Sequence, residues 1–134
     1  MHAAVVLVPL AAIGALLTAF WPAARERYGW LLAGLAVVAA LSALGARISG
    51  QDFIDSMGGG TPAAQAHSRW GMLAPFPAVA LAVVLPMLVW LDGRPKRSRA
   101  LWLVAAAVSV LAALASLVLI GLTGHSGATA VWAP

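Results

Sequence analysis

ALWLVAAAVSVLAALASLVLIGLT, residues Ala100 to Thr123, contains no charged residue, and its reading decides the fold. As a helix rising 1.5 Å per residue it covers about 36 Å, enough to cross about 30 Å of hydrocarbon. Three further runs share its character, at about 3–21, 29–46 and 71–91. Helix is the only state that satisfies every backbone group inside lipid without a partner strand, and none of the runs alternates as a barrel strand would. The first run lacks a basic start and is too long for the apolar region of a cleaved leader, so it reads as a retained span.

Composition agrees. Of 134 residues, 63% are hydrophobic and 9% charged, where soluble domains carry about 25% charged residues. The mean hydropathy is +0.96. A soluble domain of this length cannot hide so much apolar surface. The expectation is an all-α integral membrane four-helix bundle forming one domain, 1–134, as a multi-pass protein of the cell inner (plasma) membrane with the lipid bilayer as its main partner.

The connections set its orientation. Segments 22–28 and 92–99 hold six of the eight Lys and Arg residues, which places both as cytoplasmic loops by the positive-inside rule. Trp21, Tyr28, Trp30, Trp90 and Trp102 flank them as an aromatic belt. The N-terminus, the C-terminus and a loop of about 47–70 then lie on the extracytoplasmic side. The net charge of +4 belongs to these topology signals and not to a nucleic-acid surface. Within the long loop, Ser49 to Asp55 can prolong the second helix, and Thr61-Pro62 reads as an N-cap with proline at the first helical position. Pro75, Pro77 and Pro86 predict bends in the third span. Small residues at helical spacing, such as Ala39 and Ala43 or Ala112 and Ser116, supply close-packing faces that suit an intramolecular bundle or a homo-oligomer equally. The two hairpins, each opening with a histidine and turning through a basic segment, suggest an internal repeat.

There are no cysteines, so thiolate metal sites, disulfides and Cys nucleophiles are excluded. No HExxH, GxSxG, P-loop or GxGxxG pattern is present, and no catalytic residue is assigned. What remains is histidine. His2 precedes the first span, His67 opens the third and His125 follows the fourth, so four crossings bring all three to the extracytoplasmic face. Imidazole ligates Zn, Cu and haem iron, so His2, His67 and His125 are candidate ligands for haem b or for a divalent metal, with Asp52 and Asp55 as carboxylates able to orient a ring. Interfacial histidines also simply snorkel or cap helix ends, and His125 suits that role. Arg47 and Arg69 have Asp52 and Asp55 as candidate ion-pair partners on the same side.

Several stretches resemble the DUF2231 family of small bacterial membrane proteins, in its actinobacterial branch. These are His2 to Leu10, Trp21-Pro22-Ala23-Ala24 running into Arg27-Tyr28-Gly29-Trp30, Ser49-Gly50, His67, and Gly124 to Ala128 before Val131-Trp132. The family opens with His-Pro-x-x-Val-His, of which this chain holds only the second histidine, as His2, with Met1 in the place of an apolar residue. The resemblance implies a chain that begins inside that motif. It also implies a paired-histidine scaffold similar to small membrane cytochromes b, while the family's activity is not established.

Two functions stand beside each other. In one, the histidines hold haem b, Cu or Zn at the outer face for electron transfer or metal handling. In the other, the chain is a non-catalytic structural or accessory subunit of a larger, respiratory-type membrane complex or of a homo-oligomer. A transporter or channel is disfavoured, because no span contains a charged residue.

Overall fold

The computed structural model describes residues 2–132, with side chains from Ala3 to Trp132. They form five helices: α1 (His2–Phe20), α2 (Pro22–Ser56), α3 (Pro62–Leu73), α4 (Pro75–Asp92) and α5 (Arg99–Trp132). α3 and α4 are two halves of one unit, broken at Ala74, so four helical units are long and apolar enough to cross a membrane. Proline explains the break: Pro75 has no N–H to continue the ladder and its ring crowds the turn before it.

The connection between α1 and α2 is a single residue. Trp21 is extended (φ −120°, ψ 99°), because the ring of Pro22 disfavours helical geometry in the residue before it. Pro22 then occupies the first turn of the next helix, where a missing N–H costs nothing. Residues 23–28, expected as a cytoplasmic loop, are instead the opening turns of α2. Ala23, Ala24, Arg25, Glu26 and Arg27 are strong helix formers, and a proline start lets them propagate at once. The helices also outrun the apolar spans at the other end. α2 continues from 47 to 56, and α5 runs through 124–132.

In the bundle, α1 packs against α2 and α5, and α4 packs against the same two from the other side. Alanine builds most of the interface: Ala11, Ala12 and Ala15 of α1, Ala36, Ala39 and Ala40 of α2, and Ala105 and Ala113 of α5 are buried. Leu81, Leu85 and Leu88 of α4 fill the centre that these small side chains leave. Small residues let backbones approach until dispersion and packing hold them, which is the means available when lipid is as apolar as leucine. Gly14 and Gly29 mark the closest approaches, where an added Cβ would stand 2.8 Å from Leu32 and 3.0 Å from Val89. In the most apolar window of each unit only 28–39% of residues are buried inside the protein, and the outward faces carry Val, Leu and Ile suited to lipid.

Length then produces asymmetry. α1 has 19 residues, about 28 Å, whereas α2 has 35 and α5 has 34, each more than 50 Å by the ~1.5 Å rise. Short connections hold the chain flush where α1 and α4 end and α2 and α5 begin. The excess of α2 and α5 therefore projects beyond the first turn of α1, together with α3.

Candidate functional site: a histidine-lined hollow beyond the end of α1

Three consecutive glycines reverse the chain above this projection. Gly58, Gly59 and Gly60 have φ of 65°, 98° and 68°, a left-handed run that side chains resist. The amides of Met57, Gly58 and Gly59 bond back to carbonyls of the last turn of α2. Thr61 then caps α3, its hydroxyl accepting from the Ala64 amide at 3.2 Å, and the Gln65 side chain donates to the Gly59 carbonyl at 3.2 Å. The N-cap and the prolongation of α2 match the sequence expectation.

α3 lies chiefly against α5, and His67 makes a side-chain hydrogen bond across that contact. Its Nδ1 is 3.0 Å from the carbonyl oxygen of Thr123 and 3.4 Å from Ser126 Oγ. A carbonyl can only accept, so Nδ1 carries the hydrogen and donates it. In the neutral ring Nε2 is then the nitrogen with a free lone pair. Ser126 donates its own hydroxyl to the same carbonyl at 3.0 Å. The imidazole rests on Gly127, where an added Cβ would stand 3.1 Å from Cε1. Thr123, Ser126, Gly127 and Ala130 follow the i, i+3, i+4, i+7 spacing of one helix face.

Between α2, α3, α4 and α5, above Ala4 and Val5 of α1, lies a hollow of about 510 Å³. Its walls are mainly apolar, with Ile54, Met57, Met72, Pro75 and Ile120 among them. The polar groups on it are few: His67, Ser68 and Thr123 on one side, Arg47 and Gln51 on the other. Arg47 is half-buried, its guanidinium 5.2 Å from the Phe76 ring centroid. An apolar chamber of several hundred cubic ångströms with a few placed polar groups has the character of a small-ligand site.

The expected histidine constellation is only partly brought together. His67 lines the hollow. His2 opens α1, two residues before Ala4, and its side chain lies outside the described residues. His125 sits inside α5 rather than beyond its end, and is exposed. It is two residues from Thr123, about 200° around the helix, and so faces away from α3. Asp52 and Asp55 are exposed as well, and Asp55 accepts from the Gln51 amide at 3.1 Å. The group that orients the His67 ring is therefore a backbone carbonyl and not one of these carboxylates. Arg47 stacks on Phe76 rather than pairing with Asp52 or Asp55. Among the described residues no three His, Asp or Glu side chains gather as a metal would require.

At the opposite end the structure holds a cluster that sequence reasoning missed. Arg25 is 7% exposed. Its Nε donates to Asp92 Oδ2 at 2.8 Å, and its Nη1 donates to the Thr18 carbonyl at 2.8 Å and the Ala19 carbonyl at 3.5 Å. The side chain thus satisfies carbonyls left open where α1 ends. Its guanidinium also lies 5.0 Å from the Trp102 ring centroid, and Asp92 takes a second hydrogen bond from Arg97. One ion pair so ties together the ends of α1 and α4 and the beginnings of α2 and α5. The available signal was Asp92, the single acid in a segment otherwise basic.

Fold and hollow together define a multi-pass α-helical membrane protein whose bundle opens into an apolar chamber at one end. No family model, curated protein or solved structure matches the chain.

Proposed function

We propose that this protein holds haem b in the hollow, with Nε2 of His67 as a protein ligand to the iron, and serves electron transfer at the outer face of the plasma membrane. The observation that carries the reading is the Nδ1–H···O=C bond from His67 to Thr123 within an apolar chamber. It leaves Nε2 as the ligating nitrogen and fixes the ring by a partner of the kind that metal-bound imidazoles use. Haem brings four nitrogens of its own and needs one or two from the protein, whereas Zn or Cu needs three or more. The single oriented imidazole therefore favours haem over a bare metal ion. Arg47 on the facing wall offers a cation for the propionates. When bound, haem supplies one-electron chemistry; the chain's part is to hold it, orient the ring and exclude water.

In the same reading both chain ends are extracytoplasmic, since the basic segments 22–28 and 92–99 belong inside. Membership of the DUF2231 family is part of the proposal and rests on the residues quoted for it above.

The test is addition of hemin to the full chain purified in uncharged detergent. A Soret band saturating at one haem per chain, lost in His67→Ala and retained in His125→Ala, is the expected result. A colourless wild type, or unchanged haem uptake in His67→Ala, overturns it. The accessory-subunit reading then takes its place, and a defined membrane partner would co-purify.

A further inference from the structure

The hollow is walled by α2, α3 and α5, and its fourth side is a gap above the first turns of α1. α1 packs between α2 and α5, and among the described residues α2 and α5 nowhere pack against each other. Helix geometry tells which side chains border the gap. On α2, Gly29 meets Val89 of α4, and Leu32 meets Gly14 of α1. Arg47 lies about five turns beyond Gly29 and repeats its direction toward α4, where its guanidinium stacks on Phe76. Phe53 lies about 120° around the helix from Arg47, on the side of α1. Three apolar side chains line the hollow and yet are more than half exposed: Val5 of α1 at 57%, Phe53 of α2 at 56% and Val131 of α5 at 71%. They come from the three helices that flank the gap and form its rim. Val5 also belongs to the outward apolar surface of α1, beside exposed Val6 and Leu10, so the lipid-facing side of a crossing helix runs directly into the floor of the hollow. His67, Arg47 and Gln51 stand on the α3 and α4 side, away from this rim.

We propose that the gap is a lateral entrance, and that the hollow takes its ligand from the adjoining leaflet and not from water. This rests on the reading of the hollow as the ligand site and adds the physical class of what enters: an amphipathic molecule dissolved in the membrane. Val5, Phe53 and Val131 admit its apolar body, and Arg47 holds its anionic edge. A mouth opening to water would leave three large apolar side chains hydrated, whereas at the edge of the bilayer lipid covers them as it covers the rest of the outer face of α1. A ligand with a large apolar surface also partitions into lipid before it meets a protein. Haem, with an apolar macrocycle and propionate carboxylates, belongs to this class. The order of groups along the path suits it: apolar at the mouth, with the imidazole and the cation on the far walls.

The experiment places the full chain in phosphatidylcholine nanodiscs with one of two photolabels: a phospholipid carrying a diazirine on its acyl chain, or a charged diazirine confined to water. Peptide mass spectrometry reads the label on Ile54 and Ile120, half-buried residues that line the hollow. Lipid labelling is scaled to Leu111 on the outer face of α5, and aqueous labelling to Lys96 in the exposed basic segment. The lipid probe should mark Ile54 and Ile120 severalfold more strongly than the aqueous probe. Val5→Trp, at an exposed position, fills the mouth and should cut the lipid labelling severalfold with thermal stability held. Val6→Trp, equally exposed but not on the hollow, should leave it unchanged. Stronger labelling from water, wild-type labelling in Val5→Trp, or an equal loss in Val6→Trp would each overturn the entrance. Hemin should compete the lipid label away. Lipid labelling that persists under saturating hemin overturns haem as the occupant and leaves the entrance standing, so the two readings fail separately.

Discussion

The two ends of this bundle are built on opposite terms. At the end where Arg25 meets Asp92, α1 and α2 are joined through one residue, and α4 and α5 through a short basic segment. The carbonyls where α1 stops are covered by a buried guanidinium. At the His67 end, two helices overshoot, three left-handed glycines make the turn, and the space between the helices is left as an apolar hollow. Polar groups at the first end are concentrated around the Arg25–Asp92 pair. At the second they are sparse and spaced around a void. An end with few buried apolar contacts and open space is the end expected to open and move first, and ligand sites are drawn from such regions. The difference teaches that one end holds the chain together and the other is free to hold something else.

The sharpest way to break this comparison is Asp92→Ala. The pair itself is a modest net contributor, because taking two charges out of water offsets much of their attraction. Removing one partner is different, since Arg25 stays buried with its charge uncompensated. A loss of about 3 kcal/mol is expected, measured as a shift in the denaturant-unfolding midpoint of the detergent-solubilised chain. Hydrogen exchange in α3 should be unchanged. If α3 amides deprotect as strongly as those at the start of α2, the two ends are one cooperative unit and the division between them fails.

Much of the architecture was legible because it depends on local quantities. Charge-free runs of about 20 residues mark crossings whatever they pack against, and Thr61-Pro62 announces a helix start by its own chemistry. The features that needed the fold are the long-range ones. Residues 23–28 carry helix-forming side chains and topology signals at once, and Trp21 alone makes the turn that a loop there was expected to make. The apolar run ends at Thr123, which puts His125 beyond the last span, just ahead of Gly127. In fact α5 continues through Gly124 and Gly127, which carries His125 to the far side from His67. The partner of His67 is a backbone oxygen, which leaves no mark in a sequence. Asp92, among four basic neighbours, likewise gave no sign that its partner would be Arg25, 67 positions away.

Gly127 tests the cavity end next. Both Gly124 and Gly127 lie inside α5, but an added Cβ meets nothing within 4 Å at Gly124 and meets the His67 ring at 3.1 Å at Gly127. Glycine inside a helix costs up to about 1 kcal/mol relative to alanine. Gly124→Ala should therefore stabilise by a few tenths to about 1 kcal/mol. Gly127→Val adds bulk the ring cannot accept without leaving Thr123, and should destabilise by about 2 kcal/mol as overpacking does. The same variant should lose haem uptake in the hemin assay. Equal stability of the two variants would mean that α3 is not seated on α5 through His67.

The smallest expected effect isolates α3 itself. Thr61→Ala removes the side-chain oxygen that accepts from the Ala64 amide and should cost about 1 kcal/mol. Pro62 still presets the first turn, so the helix should fray and not unfold. The signature is faster hydrogen exchange at the amides of the first turn of α3, with the start of α2 untouched. His67 lies one to two turns further along, anchored to α5, and should stop the fraying before it reaches the hollow. If exchange instead rises through residue 73, the His67–Thr123 bond is too weak to hold α3 alone. The capping of a single turn would then govern whether the chamber keeps its shape.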